Sequence, residues 1–216
     1  MDTQVLHVYI DGPSLSVEMK KRRLEMLLEQ VESFSKPVPE MEQYTTPPAV
    51  ASELLYPAYL RGDLEKVCDL GCGTGILAIG AALLGARAVG VELDRIALQV
   101  AKANASRIGV HVDFVRGDLR WIALRRVPTV VMNPPFGAQK ASQGDRIFLK
   151  KGLEIADVIY SIHRAGSEGF IRRFVKPCTV EEIRRIRFPI RRCFEFHSID
   201  VKMIEVDLYR IVCRGI

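Results

Sequence analysis

Between Lys66 and His163 the chain alternates short apolar runs with longer segments of helical periodicity, and this order restricts the fold more than any other feature. Lys66 to Leu70, Ala88 to Leu93, Val112 to Val115, Thr129 to Met132 and Val158 to His163 read as strands. Ile76 to Leu84, Asp94 to Arg107 and Ile147 to Asp157 read as helices, with Asp94 as an N-cap. Strand–helix alternation builds an α/β, doubly wound, mostly parallel sheet with helices on both faces. IEVDLYRIVC, Ile204 to Cys213, instead alternates apolar with polar residues, which predicts an antiparallel strand closing the sheet, with Phe194 to Ile199 as its partner. Upstream, Leu24, Leu27, Leu28 and Val31 predict a helix over Ser16 to Phe34, stopped by Pro37 and Pro39. A loop carrying Gln43, Tyr44, Thr45 and Thr46 leads to a helix starting near Pro48, where proline suits the first turn. The expected organisation is an irregular arm over residues 1–15 and one domain over 16–216.

Composition bounds the function. The chain has 216 residues, 48% of them apolar, enough for a full core. No apolar run of signal-peptide length opens it, and Gly75 to Ala86 is interrupted at Arg87, well short of the ~18 residues a membrane span needs. A cytoplasmic protein with no membrane contact is the expectation. The five cysteines, 68, 72, 178, 193 and 213, lack CxxC spacing, so buried free thiols are expected rather than a metal site. The net charge of +5 arises wholly from Tyr160 onward, where 12 Lys and Arg face 7 Asp and Glu. Such a surplus suits a polyanion such as RNA, with a solvated surface or an acidic protein partner as the alternative.

VCDLGCGTGIL runs from a strand through Gly71, Gly73 and Gly75 into a helix. Glycines permit close approach of backbone to a ligand, and the helix start at Thr74 to Ile76 presents unpaired N–H groups. A dinucleotide loop, GxGxxG, would need glycine at Ile76; the spacing here is GxGxG, preceded by Asp69. Glu92 ends the next strand, 21 residues after Gly71, placed to accept from both hydroxyls of a ribose. Asp118, after the third strand, is placed to accept from an adenine amine, beside the backbone of Leu119. Asp69, GxGxG, Glu92 and Asp118 together resemble the class I methyltransferase pattern, in which these positions bind S-adenosylmethionine.

The strand ending at Met132 delivers Asn133, Pro134, Pro135 and Phe136 to the carboxyl edge of the sheet. An exocyclic amine conjugated to a ring is a poor nucleophile. Two acceptors, the Asn133 side-chain oxygen and the Pro134 carbonyl, would draw its nitrogen toward tetrahedral geometry. Prolines fix the carbonyl direction, and Phe136 offers a stacking face worth roughly 1–3 kcal/mol. No metal is needed; positioning and electrostatics carry the displacement. NPPF resembles the (N/D)PP(Y/F/W) motif of methyltransferases acting on adenine N6, cytosine N4 or a glutamine amide; a mere strand-ending turn is the competing account.

EQYTTP, DLGCGTG, MNPPFG, FLKKGLE, YSIH, FEFH and IEVDLYR together resemble the methyltransferase-like protein five family over Leu24 to Arg214. The resemblance implies a seven-stranded Rossmann-like class I fold, an enzyme using S-adenosylmethionine, and methylation of adenosine N6 in small-subunit ribosomal RNA. It also implies cofactor contacts from Gln43 and Thr46, and a small zinc-binding methyltransferase activator protein as partner along an exposed sheet edge. Glu92 stands where the family often has aspartate, and SIDVK follows FEFH in place of a lysine-rich run. His163 and His197 fall at family-like positions, although a lone histidine beside a strand is more often a satisfied structural residue. A release-factor-type protein-glutamine methyltransferase, a DNA adenine methyltransferase and a non-catalytic RNA-binding assembly factor are the competing functions.

Overall fold

In the computed structural model, which describes residues 19–34, 37, 43–136, 144–191 and 201–213, the predicted strands lie side by side. β1 (Lys66–Leu70) sits between β2 (Arg87–Glu92) and β4 (Val127–Met132); β3 (Val112–Arg116) pairs with β2, and β5 (Ala156–Arg164) with β4, all parallel. β7 (Val201–Val212) runs antiparallel to β5, and β6 (Thr179–Arg191) antiparallel to β7. The order is β3-β2-β1-β4-β5-β7-β6.

Alternate strand residues feed two apolar layers. α1 (Lys21–Leu28), α2 (Pro48–Leu60), α3 (Ile76–Leu83) and α4 (Arg95–Ile108) supply Leu24, Leu28, Leu54, Leu55, Ile79 and Ala105 against Val67, Val131 and Tyr160. α5 (Asp145–Ile155) and α6 (Glu168–Phe174) supply Leu149 and Ile171 against Cys68, Val130, Ile159 and Tyr209. Each such aliphatic side chain contributes roughly 1.5–3 kcal/mol when fully buried. As expected, Pro48 opens α2, and the Asp94 carboxylate caps α4 by accepting from Ile96 N at 2.8 Å. Across the layers, buried Asp63 accepts from Tyr160 Oη at 2.7 Å and Arg210 Nε at 3.0 Å, tying the turn after α2 to β5 and β7.

Two expectations are corrected. The first helix ends at Leu28 rather than Phe34, because the backbone of Gln30 and Glu32 bonds to α4 side chains. β7 pairs with β5 and β6, and its expected partner Phe194 to Ile199 lies outside the described residues together with His197 and the arm over 1–15. Arginines and glutamates masked the alternation of Ile186 and Phe188 in β6; its Pro189 is tolerated because β6 is an edge strand among the described residues. The short helix α6 was not anticipated. Finally, Cys178 and Cys213 form a disulfide rather than two thiols: pairing of Thr179 with Val212 sets the flanking Cα atoms 4.5 Å apart, within bridging range. Cys68 and Cys72 are buried free thiols, and Cys193 lies outside the described residues.

Part of the basic surplus is consumed inside the fold. Arg184 pairs with Glu53, Arg185 with Asp207, and Arg210 with Asp63 and Glu181, while Arg173, Lys176 and Arg187 are exposed. Among the described residues no helix is long and apolar enough to cross a membrane, and no group of three or more His, Cys, Asp or Glu could hold a metal ion.

Candidate active site

The strand order reverses between β1 and β4, and ligands of such sheets bind in the crevice outside the carboxyl ends at that switch point. β1 delivers Asp69 and the glycine loop to it, and β4 delivers Asn133. α3 leaves on one face and α5 on the other, so the crevice stays open. A cavity of about 270 Å³ occupies it.

Gly71, Gly73 and Gly75 all have left-handed φ, at 67°, 53° and 92°. A Cβ on Gly71 would stand 2.4 Å from the Phe148 ring, and one on Gly73 2.8 Å from the Phe34 ring. These glycines therefore accommodate two aromatic walls of the cavity, a requirement that GxGxG spacing does not announce. Gly75 does not line the cavity; it starts α3 and lies where a Cβ would press on Ala101 of α4 at 3.2 Å. The other residues singled out as cofactor contacts all line it: Gln43, Thr46, Asp69, Gly71, Gly73, Thr74, Ile76, Glu92, Asp118 and Leu119.

The acids differ in their surroundings. Asp69 is fully buried; its Oδ2 accepts from Ala78 N at 3.0 Å, at the start of α3, while Oδ1 has no partner among the described residues. Burial pushes its carboxyl up to about 8, the Ala78 N–H opposes this, and the nearby Glu92 charge adds to it. A buried carboxylate with an open oxygen on a cavity wall calls for a donor or a cation there. Glu92 accepts from Gly73 N (2.9 Å), Leu93 N (2.7 Å) and Asp94 N (2.9 Å), which holds the glycine loop against β2. Asp118 is engaged by Arg120, whose Nε lies 3.0 Å from both carboxylate oxygens and holds that carboxyl below its ordinary range. Arg120 was overlooked in sequence although it is two residues away.

The loop before α2 closes the crevice. Gln43 Nε2 donates to Asp94 Oδ2 at 2.9 Å, anchoring the loop to the end of β2. Thr46 Oγ1 accepts from Asn133 Nδ2 at 2.9 Å. With that donor engaged, Asn133 Oδ1 is buried and has no partner among the described residues. Asn133 and Pro135 line the cavity, Pro134 is buried beside them, and Phe136 packs edge-on against Phe188 of β6 with ring centroids 6.0 Å apart. His163 lies elsewhere, buried, with Asp145 at 3.1 Å and Ser161 at 3.0 Å, a satisfied residue of β5.

The open Asp69 oxygen, three acidic side chains along one cavity and aromatic walls fit a cationic nucleoside such as S-adenosylmethionine. Comparison with known proteins agrees. Residues 49–151 match the family described as Methyltransferase small domain. The chain is 40% identical over 213 residues to an uncharacterized protein of Methanocaldococcus jannaschii, covering 91% of this chain and 96% of that one. It is 34% identical to the rRNA N(6)-adenosine-methyltransferase METTL5 of Danio rerio, covering 89% of this chain and 98% of the relative. A crystal structure from Pyrococcus horikoshii, titled as a candidate RNA methyltransferase, superposes with a TM-score of 0.80 at 39% identity, over 89% of this chain and 97% of that one. The chain belongs to the METTL5 family of S-adenosylmethionine-dependent methyltransferases.

Proposed function

We propose that this chain methylates N6 of an adenosine in small-subunit ribosomal RNA. The observation that carries the proposal is the buried Asn133 Oδ1, without a partner among the described residues, oriented by Thr46 in a cavity also lined by Asp69 and Glu92. S-adenosylmethionine supplies, when bound, an electrophilic methyl group on a sulfonium. Asp69 faces the cationic end of the cofactor, Glu92 the ribose hydroxyls, and Asp118 with the Leu119 backbone the adenine. Asn133 Oδ1 and the Pro134 carbonyl each accept one N–H of the target amine, which frees its lone pair for attack. Phe136, already packed edge-on against Phe188 of β6, stacks against the target base. The proton lost from nitrogen after methylation passes to solvent, so the site needs no strong base.

An extruded base reaches this crevice without the cost of unpairing when the target is single-stranded or bulged. Exposed Arg187, paired in strand register with Glu205 beside the carboxyl end of β5, provides a cationic contact for its backbone, whereas Arg173 and Lys176 precede β6 at the opposite edge of the sheet. We further infer cytoplasmic action and a small zinc-binding activator on a sheet edge; β3, which carries the half-exposed Val115, pairs on one side only among the described residues. The test is transfer of label from S-adenosylmethionine to small-subunit RNA, tRNA, DNA and a release-factor protein, with nucleoside mass spectrometry of the labelled product. N6-methyladenosine in small-subunit RNA is the expected product. Labelled protein would move the chemistry to a glutamine amide, and labelled DNA would replace the substrate class.

A further inference from the structure

The segment Gln30–Phe34, which precedes the matched family region, is bolted to the cofactor crevice by one side chain. Asn104 of α4 is completely buried. Its Oδ1 accepts from Glu32 N at 3.0 Å and from Arg107 Nη2 at 2.6 Å. Its Nδ2 donates to Glu32 O and to Thr74 O, both at 3.0 Å. One amide thus joins the segment, the helix and the glycine loop. Arg107 adds a bond to Gln30 O at 2.7 Å and an ion pair with Glu32. Ser33 then bonds to Thr45, the neighbour of the residue that orients Asn133.

The consequence of these bonds is the placement of Phe34. Its ring stands on the Cα of Gly73, close enough that a Cβ there would be 2.8 Å away, and forms part of the cavity wall. Gly73 N is the group that donates to Glu92, so the residue the ring covers is tied to the carboxylate assigned to the ribose. A buried amide satisfied at both ends fixes register in a way that apolar packing does not.

We infer that Phe34 is a cofactor-contacting residue, covering the nucleoside part of S-adenosylmethionine, and that Asn104 is the positioning residue that holds it there. This rests on the cofactor assignment of the preceding section. The strap makes residues upstream of the matched region part of the binding site, and couples cofactor binding to the loop that carries Thr46.

The test is calorimetric titration of the full-length protein with S-adenosylmethionine and S-adenosylhomocysteine. Phe34→Ala is expected to weaken both by about tenfold, the scale of one lost aromatic wall, and Phe34→Leu by less. Asn104→Ala is expected to weaken them similarly, and the double variant no further than the weaker single one, because Asn104 acts through Phe34. A purely structural Asn104 would give additive losses, and that result overturns its assignment. Should Asn104→Ala fail to fold, Arg107→Ala, at a partly exposed position, replaces it in the same cycle. Unchanged affinity in folded Phe34→Ala overturns the inference while leaving the methyltransferase assignment intact. Absence of binding by the unaltered protein overturns the cofactor assignment itself.

Discussion

Asn133 Nδ2 donates to Thr46 Oγ1 at 2.9 Å, so a residue of the loop before α2 sets the direction of the amide at the end of β4. The bond leaves Asn133 Oδ1 buried and open to a substrate amine. Thr46→Val keeps the shape and removes the acceptor. Turnover on RNA is expected to fall about tenfold, the equivalent of one hydrogen bond, with cofactor affinity within severalfold. Steady-state kinetics beside calorimetry separates the two, and equal losses in both would place Thr46 with the cofactor instead.

Asp69 holds its proton below about pH 8 in the cofactor-free protein, because burial outweighs its bond from Ala78. A cation at Oδ1 favours the carboxylate, so binding releases a proton below that pH and apparent affinity rises as pH approaches it. Titration of S-adenosylmethionine at neutral pH in buffers of different ionisation heat is expected to show this release. Asp69→Asn removes it while leaving the ligand's own titration in place; identical buffer dependence in both proteins would contradict the pairing.

Glu92 accepts three backbone N–H groups, one of them from the glycine loop. Glu92→Gln sets an NH2 against these donors and removes the charge. Cofactor affinity is expected to drop roughly ten- to a hundredfold, since bonds to an ionised group are the stronger kind. Calorimetry measures it, and a loss below twofold would show that Glu92 serves only the loop.

Asp63→Ala removes a shared partner of Tyr160 and Arg210 and leaves the arginine with Glu181 at the surface side. The expected cost is about 3 kcal/mol, as for breaking a buried pair by deleting one member. Denaturant unfolding checks it; an unchanged midpoint would show that Arg210 relaxes outward.

The central sheet and the crevice were legible because their signals are local. Asp69 and Glu92 lie in the last residues of β1 and β2, and the glycine loop and Asn133 directly follow β1 and β4, so each is read from a short apolar run that ends at the carboxyl edge. What escaped notice depends on distant partners or on charge. Asn104 meets Glu32 across 72 positions, and Cys178 meets Cys213 across 35, so neither pairing has a local signature. β6 was obscured by arginines on the face opposite Phe188. The roles of Gly71 and Gly73 were half visible: spacing indicated a close approach, while only packing shows Phe148 and Phe34 making it.

The most direct measurement is methyl transfer by Asn133→Ala beside the unaltered protein on small-subunit RNA, with cofactor affinity determined for both. The expected result is N6-methyladenosine from the unaltered protein, none from the variant, and cofactor affinities within severalfold of each other. Undiminished N6-methyladenosine formation by folded Asn133→Ala would contradict the role assigned to the open Asn133 oxygen.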